Sequence, residues 1–287
     1  MSRGDGDRSA LSSPAMVRRF EFMPVRWANG CWALSPRLPP SAPVPVPVRI
    51  ASWNVWFDDH RWAQRTAALL ATLRQRDLDV IALQEVTQGL LDALLGCQWI
   101  RDDYQVSELE TIGYDVIILS RLPMYRVATV PFPSAMGRRL IVAELTCGLE
   151  VATTHLESTR PMAAVRAEQL TMAFDYLRTR DDTVLVGDMN FDPSAPTETR
   201  VLDAEFVDVW PALRPSEPGY TADEIRNPMR AASSDGPRGE RIDRIFARTR
   251  RWVPIRVEML GTETIDDRQT YISDHFGLEA EFALARP

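Results

Sequence analysis

Thr183-Val-Leu-Val-Gly187-Asp188-Met189-Asn190 is the stretch on which the reading of the fold turns. Thr183 to Val186, three of the four aliphatic, is a short run of the kind that forms a buried strand, and Gly187 ends it. Residues two apart on an extended chain point the same way, so Asp188 and Asn190 face one place at the strand tip. There a carboxylate can take a proton and a carboxamide can hold an oxygen. Strand–Gly–Asp is also an ordinary turn. The stretch acquires a functional reading only because other polar residues close apolar runs in the same manner.

Upstream, Val48-Arg-Ile-Ala-Ser-Trp-Asn54 reads as a strand with Asn54 at its end, and Leu78 to Glu85 as a second strand with Glu85 at its end. Between them, Trp62, Leu69, Leu70 and Leu73 recur at helical spacing, which predicts an amphipathic helix over Arg61 to Arg76. A helix is expected from Thr87 to Leu95 and a strand over Tyr114 to Ser120. Tyr125 to Phe132, Leu140 to Leu145 and Leu149 to Thr154 form a meander whose last strand delivers His155. A long helix from Pro161 to about Arg180 leads into the opening stretch. Beyond it come a short helix near Thr197 to Leu202, a loop-rich Glu217 to Glu240, and strands at Arg241 to Phe246, Ile255 to Leu260 and Phe276 to Leu284. Strands outnumber helices, and hairpin-type connections mix with crossovers. That pattern fits an α/β fold of two packed sheets flanked by helices.

Residues 1–47 read as an extension outside the core. They open on a Gly/Asp/Ser/Arg-rich start and close on the proline run Pro36 to Pro47, which favours extended polyproline II. Between these lies Phe20 to Trp27, apolar enough to dock. The folded domain is expected to span 48–287.

Composition narrows the function classes. At 287 residues roughly 75% of the unfolded chain's surface can be buried, so the core needs no covalent staples. Cys31, Cys97 and Cys147 are widely spaced and form no C-x-x-C pair, which argues against a disulfide framework or a zinc site and for a reducing compartment. No apolar run reaches membrane-span length and no secretory h-region follows the N-terminus, so an intracellular protein without membrane contact is expected. That means cytoplasmic in a bacterium, with the nucleus open in a eukaryote; a monomer is expected. The net charge of −7 disfavours broad, sequence-blind binding along a polyanion and leaves room for local contact at a nucleic-acid end. There is no lysine, which excludes a lysine Schiff base and a P-loop lysine.

Asn54, Glu85, His155, Asp188 with Asn190, Asp243, and Asp274 with His275 all sit at ends of apolar runs, and the set contains two of the chain's 3 histidines. Strand ends are where open α/β sheets keep their sites. Glu85 is a hard ligand suited to Mg2+, which keeps several waters and takes few protein oxygens. Asp188 is placed to activate water and Asn190 to orient it. His275, steadied by a buried acid such as Asp243, can neutralise charge on a phosphoryl oxygen. Phosphoryl transfer is catalysed almost wholly by positioning and charge stabilisation. No G-x-S-x-G elbow and no zinc-type His/Cys cluster competes.

Ser52-Trp-Asn54, Leu83-Gln-Glu-Val86, Gly187-Asp-Met-Asn190, Arg241-Ile-Asp-Arg244 and Ser273-Asp-His275, in that order, resemble the signature of the endonuclease/exonuclease/phosphatase superfamily. Thr154-His-Leu-Glu-Ser-Thr-Arg160, Phe206-Val-Asp-Val-Trp210 and Ser273 to Leu278 resemble its 5′-tyrosyl-DNA phosphodiesterase branch. The resemblance implies a deoxyribonuclease-like four-layer α/β sandwich and Mg2+ dependence, with Mn2+ as a substitute. It also implies hydrolysis of a phosphodiester joining tyrosine to a DNA 5′ end, leaving a 5′-phosphate in DNA repair. By the same resemblance Glu85, Asn54 and Asp274 are the metal-side residues, and Asp188 is the catalytic acid/base. Asn54, His155, Asn190 and His275 handle phosphate, and Asp243 pairs with His275. Ser158, Arg160 and Arg138 match positions that contact the DNA end, with Phe191 and Tyr220 as further substrate contacts.

The chain departs from the pattern in two places. Trp56 stands where the family carries a second metal-side acid, a role for which Asp58 or Asp59 is the alternative; Ala222 stands where the family often has an aromatic after Tyr-Thr. Two other functions remain open at this point: a broader nuclease, or a lipid or inositol-phosphate phosphoesterase, with the same chemistry, and a catalytically weak binding protein.

Overall fold

The computed structural model describes residues 18–36, 46–230 and 237–285. In chain order the elements begin β1 (Phe20–Phe22), β2 (Val25–Ala28), β3 (Cys31–Leu34), β4 (Val48–Asn54), α1 (Trp62–Arg76) and β5 (Val80–Thr87). Next are α2 (Gln88–Gly96), α3 (Gln98–Asp103), β6 (Gln105–Val106), β7 (Tyr114–Ser120), β8 (Met124–Pro131), β9 (Arg139–Leu145) and β10 (Glu150–His155). Helix α4 (Ala163–Leu177) crosses to β11 (Thr183–Asp188). The chain ends with α5 (Pro196–Thr199), β12 (Val207–Asp208), α6 (Val209–Leu213), β13 (Ala222–Asp223), β14 (Gly239–Glu240), β15 (Asp243–Arg248), β16 (Trp252–Leu260) and β17 (Gly277–Leu284).

These strands build two mixed sheets, ordered β1-β8-β9-β10-β11-β15-β12 and β16-β17-β4-β5-β7-β6-β2-β3. In each, a parallel pair (β10 with β11, β4 with β5) lies among antiparallel neighbours. The crossover helices explain why: α4 and α1 carry the chain back over the sheet, as a parallel connection requires.

Alternate residues of the strands face inward and meet between the sheets. Val48, Ile50, Val80 and Ile118 from one sheet pack on Val127, Ile141, Val151, Val184, Val186 and Ile245 from the other. The opposite faces are covered by helices. Leu69 and Leu73 of α1 and Leu90, Leu91 and Leu94 of α2 close one sheet. Leu170, Phe174 and Leu177 of α4 close the other. The result is the expected four-layer α/β sandwich. Among the described residues no helix is long and apolar enough to cross a membrane.

The expected boundary at residue 48 leaves out segments that the sheets incorporate. β1 pairs with β8, and the β2–β3 hairpin extends the second sheet through β6. Val25 is buried in the core beneath it. Short strands without clear alternation do not announce themselves in a sequence; their partners supply the pairing. Most of the proline run, residues 37–45, lies outside the described residues.

Candidate active site

Strand register creates the site. His155 pairs with Asp188 across β10 and β11, and Asp188 pairs with Asp243 across β11 and β15. Three functional side chains thus form one row at the end of the first sheet. The close approach of β10 depends on Gly187 (φ +144°), where a Cβ would stand 1.9 Å from the Thr154 carbonyl oxygen. Backbone bonds continue past the strand tips, from Leu156 N–H to Asp188 O (2.9 Å) and from Met189 N–H to Ile242 O (2.8 Å).

The second sheet brings its own row to the same end. Asn54 closes β4, and Glu85 sits in β5 at a bulge, where the pairing with β7 slips between Leu83 and Val86. Glu85 there has φ +62°, an uncommon backbone state for a residue with a Cβ. The bulge re-aims the carboxylate so that it does not follow the strand's alternation. Strain of this kind persists only where the surroundings over-determine it, and it concentrates at functional sites. Beneath both rows, Gln84 Nε2 donates to Thr153 Oγ1 (3.0 Å) and Ser52 Oγ (3.2 Å), tying the two sheets together.

The rows meet at Asp188. Its Oδ2 accepts from Asn54 Nδ2 (2.9 Å) and lies 3.3 Å from His155 Nε2 and 3.9 Å from His275 Nε2. Asn54 Nδ2 also donates to Glu85 Oε1 (3.1 Å), while its Oδ1 accepts from Trp56 N–H (3.1 Å). Asn190, itself at φ +54°, gives its N–H to Asp188 Oδ1 (2.9 Å). Its amide donates to Leu156 O (3.0 Å) and reaches Ser158 Oγ (3.4 Å). Asp188, Asp243, His155 and His275 are all buried.

Each imidazole carries a guanidinium. Arg138 Nη2 lies 3.4 Å from His155 Nε2 and donates to Ser158 Oγ (2.9 Å). The loop holding Arg138 is pinned by buried Glu157, which accepts from the Ser134 hydroxyl and from Ala135 N–H (3.1 Å). On the other bank, Arg230 Nη1 lies 2.7 Å from His275 Nε2 and 2.9 Å from Asp274 Oδ2. His275 Nδ1 bonds Asp243 Oδ2 (2.8 Å), and Asp243 N–H donates to Thr221 Oγ1 (3.0 Å).

Proton states follow from these neighbours. Burial pushes the His155 pKa down to about 3, so its imidazole is neutral at neutral pH. For His275 burial acts in the same direction, but Asp243 and Asp274 outweigh it and raise the pKa to about 9. Burial raises Asp243 itself, and the His275 imidazolium bonded to it pulls the other way. Burial also raises Asp188, yet His155, His275, Asn54 and the Asn190 N–H together hold it below its usual range. At neutral pH the charge among these comes from His275, since His155 is then uncharged. Burial raises Glu85 against the pull of His275 and Asn54.

Among the described residues, two groups of side chains bring ligand atoms within 4.8 Å of one another: Glu85, His155 and Asp188, and Asp188, Asp243 and His275. The first suits a divalent cation, because it offers two carboxylates and a neutral imidazole. The second is already closed by the His275–Asp243 ion pair.

Of the residues singled out in the sequence, the structure assembles Asn54, Glu85, His155, Asp188, Asn190, Asp243, Asp274 and His275, with Arg138 and Ser158 at the edge. Asp274 is engaged by Arg230 and Ser273 and joins neither group of potential metal ligands among the described residues. Phe191 is only 3% exposed and packs in the outer core beneath α4, with Arg244 over its ring, so it is not presented to a substrate. Tyr220 is half-exposed against the β13–β14 hairpin, and Arg160 is largely exposed, with Glu240 at 3.6 Å. Asp58 caps His60 N–H (2.8 Å), and neither it nor Asp59 joins the acids. Trp56 lies instead against Arg65, whose guanidinium binds the carbonyls of Val55, Trp56, Asp58 and His60 and so fixes the loop. Ala222 is buried in β13. Arg230 escaped the sequence reading, because it lies in an irregular loop with no period to mark it. A stacked pair, Phe57 on Tyr114 with centroids 4.5 Å apart, also lies beside Arg138 and His155.

The sequence matches the Endonuclease/Exonuclease/phosphatase family over residues 51–275. Tyrosyl-DNA phosphodiesterase 2 of Homo sapiens is 29% identical over 245 residues, covering 80% of this chain and 66% of the human protein. The Danio rerio enzyme of that name is 28% identical over 252 residues, covering 81% of this chain and 66% of its own length. The match therefore spans just under two thirds of these relatives. Among solved structures, D. rerio TDP2 complexed with single-strand DNA product superposes with a TM-score of 0.75 at 26% identity, covering 83% of this chain and 99% of that one. Truncated Caenorhabditis elegans TDP2 shares the fold at TM-score 0.71 and 23% identity, covering 83% and 98%.

Proposed function

Given that this chain belongs to the endonuclease/exonuclease/phosphatase family, we propose that it is a metal-dependent phosphodiesterase acting on a 5′-tyrosyl-DNA or related 5′-end adduct, leaving a 5′-phosphate in DNA repair. The observation that carries this reading is the convergence of Asn54, Glu85, His155 and His275, from segments far apart in sequence, on the single carboxylate of Asp188. The relatives named tyrosyl-DNA phosphodiesterase 2, one of them solved with a single-strand DNA product, support the choice of substrate.

The residues divide the work. Asp188, ionised and held by Asn54 and Asn190, accepts the proton of the attacking water. Such a positioned base contributes typically about 10²–10⁴ in rate. His275, held protonated by Asp243, faces the same carboxylate and stabilises charge on a phosphoryl oxygen. Asn190, Ser158 and Arg138 form the opposite bank and orient the phosphate. Glu85, steadied by Asn54 and with His155 beside it, would hold a divalent cation, Mg2+ first. When bound, the ion supplies neutralisation of the phosphate's charge.

Purified protein with Mg2+ is to be given 5′-tyrosyl DNA, 3′-tyrosyl DNA, plain single-stranded DNA, sphingomyelin and an inositol polyphosphate. Preference for the first by orders of magnitude is expected. Equal turnover of all the nucleic acids would make it a general nuclease, and turnover of the lipid or inositol substrate would move it to another branch. No turnover of any would leave a binding protein.

A further inference from the structure

Arg230 stands in the site without a part in the division of work above. The described residues just before it are tied down. Asn227 Nδ2 donates to Ser273 O (2.8 Å), Tyr271 OH to Arg226 O (2.8 Å), and Arg230 N–H to Asn227 O (3.0 Å). These bonds tie residues 226–230 to the segment that carries Asp274 and His275. Its side chain is 26% exposed, so it is reachable from solvent.

The plain alternative is that Arg230 only balances Asp274. A counter-ion needs the carboxylate alone. Here the nitrogen that meets Asp274 Oδ2 at 2.9 Å also stands 2.7 Å from Nε2 of His275. Nδ1 of that ring is taken by Asp243, so Nε2 is its outward atom, and it faces Asp188 Oδ2 at 3.9 Å. The arrangement repeats what Arg138 does at His155 Nε2 on the far side of the same carboxylate. Two guanidiniums thus stand one beside each of the imidazoles that flank Asp188. A tetrahedral oxyanion needs donors from more than one direction, and guanidinium N–H groups are suited to it.

Resting on the phosphodiesterase reading of this site, we propose that Arg230 is a substrate contact, its guanidinium holding a non-bridging oxygen of the scissile phosphate from the His275 side. Arg138 and Ser158 hold the phosphate from the other. The chain thus grips its substrate with two cationic arms, one on each histidine's side.

The probe is inorganic phosphate, titrated calorimetrically into the full chain without metal. Kinetics on the diester turned over by the wild type run alongside. Arg230→Met should weaken phosphate binding on the order of 10- to 100-fold, the range for a lost hydrogen bond between charged groups, and should raise KM for the diester. Arg230→Lys should recover part of the loss. In Arg230→Met combined with Asp274→Asn, affinity should stay low, since no unbalanced carboxylate remains to blame. Recovery of wild-type affinity in that double variant would make Arg230 a counter-ion and overturn the proposal. So would binding within twofold of wild type in Arg230→Met, or a wild type that binds no phosphate at millimolar concentration. Should Arg230→Met not fold, Arg230→Lys decides: it keeps the charge and loses the fork, so several-fold weakening is expected and none overturns. A wild type that hydrolyses no phosphodiester sinks the underlying reading instead, whatever phosphate does.

Discussion

His155 and His275 stand on opposite sides of one carboxylate oxygen, each buried, each turning Nε2 toward Asp188, each with a guanidinium beside that nitrogen. Yet one is pushed down to about 3 and the other up to about 9. What separates them most is the far side of the ring. His275 Nδ1 bonds Asp243, whereas His155 Nδ1 has no hydrogen-bond partner among the described residues. Burial by itself removes a histidine's proton, and a carboxylate at Nδ1 restores it. The same residue type thus supplies a neutral imidazole on one bank, fit to sit beside a cation, and an imidazolium on the other, fit to answer an anion.

The largest test removes what the two share. Asp188→Asn should lower turnover by at least about 10²–10⁴ while thermal unfolding stays close to wild type; near-normal activity would take Asp188 out of its role. Removing the rings one at a time comes next. His275→Ala should slow single-turnover cleavage more than His155→Ala, because it deletes a charge rather than a neutral contact. Equal losses would mean that the two proton states do not matter to the reaction.

Moving the proton without removing the ring sharpens the contrast further. Asp243→Asn should drop the His275 pKa from about 9 toward or below its ordinary 6.5, followed by NMR of the imidazole, with the alkaline limb of the rate profile moving down with it. The sign for stability runs the same way. A histidine raised to about 9 from 6.5 contributes fully below pH 6.5, and that contribution is lost as the pH rises through 9. A His275 that keeps its high pKa in Asp243→Asn would show that Asp274 and Asp188 hold the proton instead.

Much of this was legible in the chain. Aliphatic runs closed by Asn54, Glu85, His155 and Asp188 gave the strands and the residues at their tips, because a strand's period and its end are local properties. What joins the tips is pairing between segments far apart, and for that the ordered motifs served where periodicity could not. Arg230 was invisible for a physical reason: its position is set by Asn227 and Tyr271 bonding to distant backbone, not by any pattern around it. Phe191 misled because proximity in sequence to Asp188 and Asn190 says nothing about facing. One residue beyond Asn190 at φ +54°, the side chain points into the core. The short β1, β2 and β3 were hidden in the same way, since their order comes from the strands they join.

The smallest effect lies at the other end of β10, where the rule that burial favours the neutral form can be read without an active site. Glu150 opens the strand that His155 closes, and it pairs across β9 with buried Glu144. Burial raises Glu150 to about 7; Arg180, at 3.3 Å, pulls against it and Glu144 pushes with it. An acid whose folded pKa is raised stabilises the fold while protonated. Stability should therefore fall as pH rises from about 4.5, where the unfolded chain ionises, to about 7. The full shift corresponds to at most about 3 kcal/mol. Urea unfolding at pH 5 and pH 7.5 should show a decline in the wild type that is smaller in Glu150→Gln, which has no proton to lose. An identical decline in both would mean that burial does not hold Glu150 neutral, and the account of His155, which rests on the same desolvation, would weaken with it.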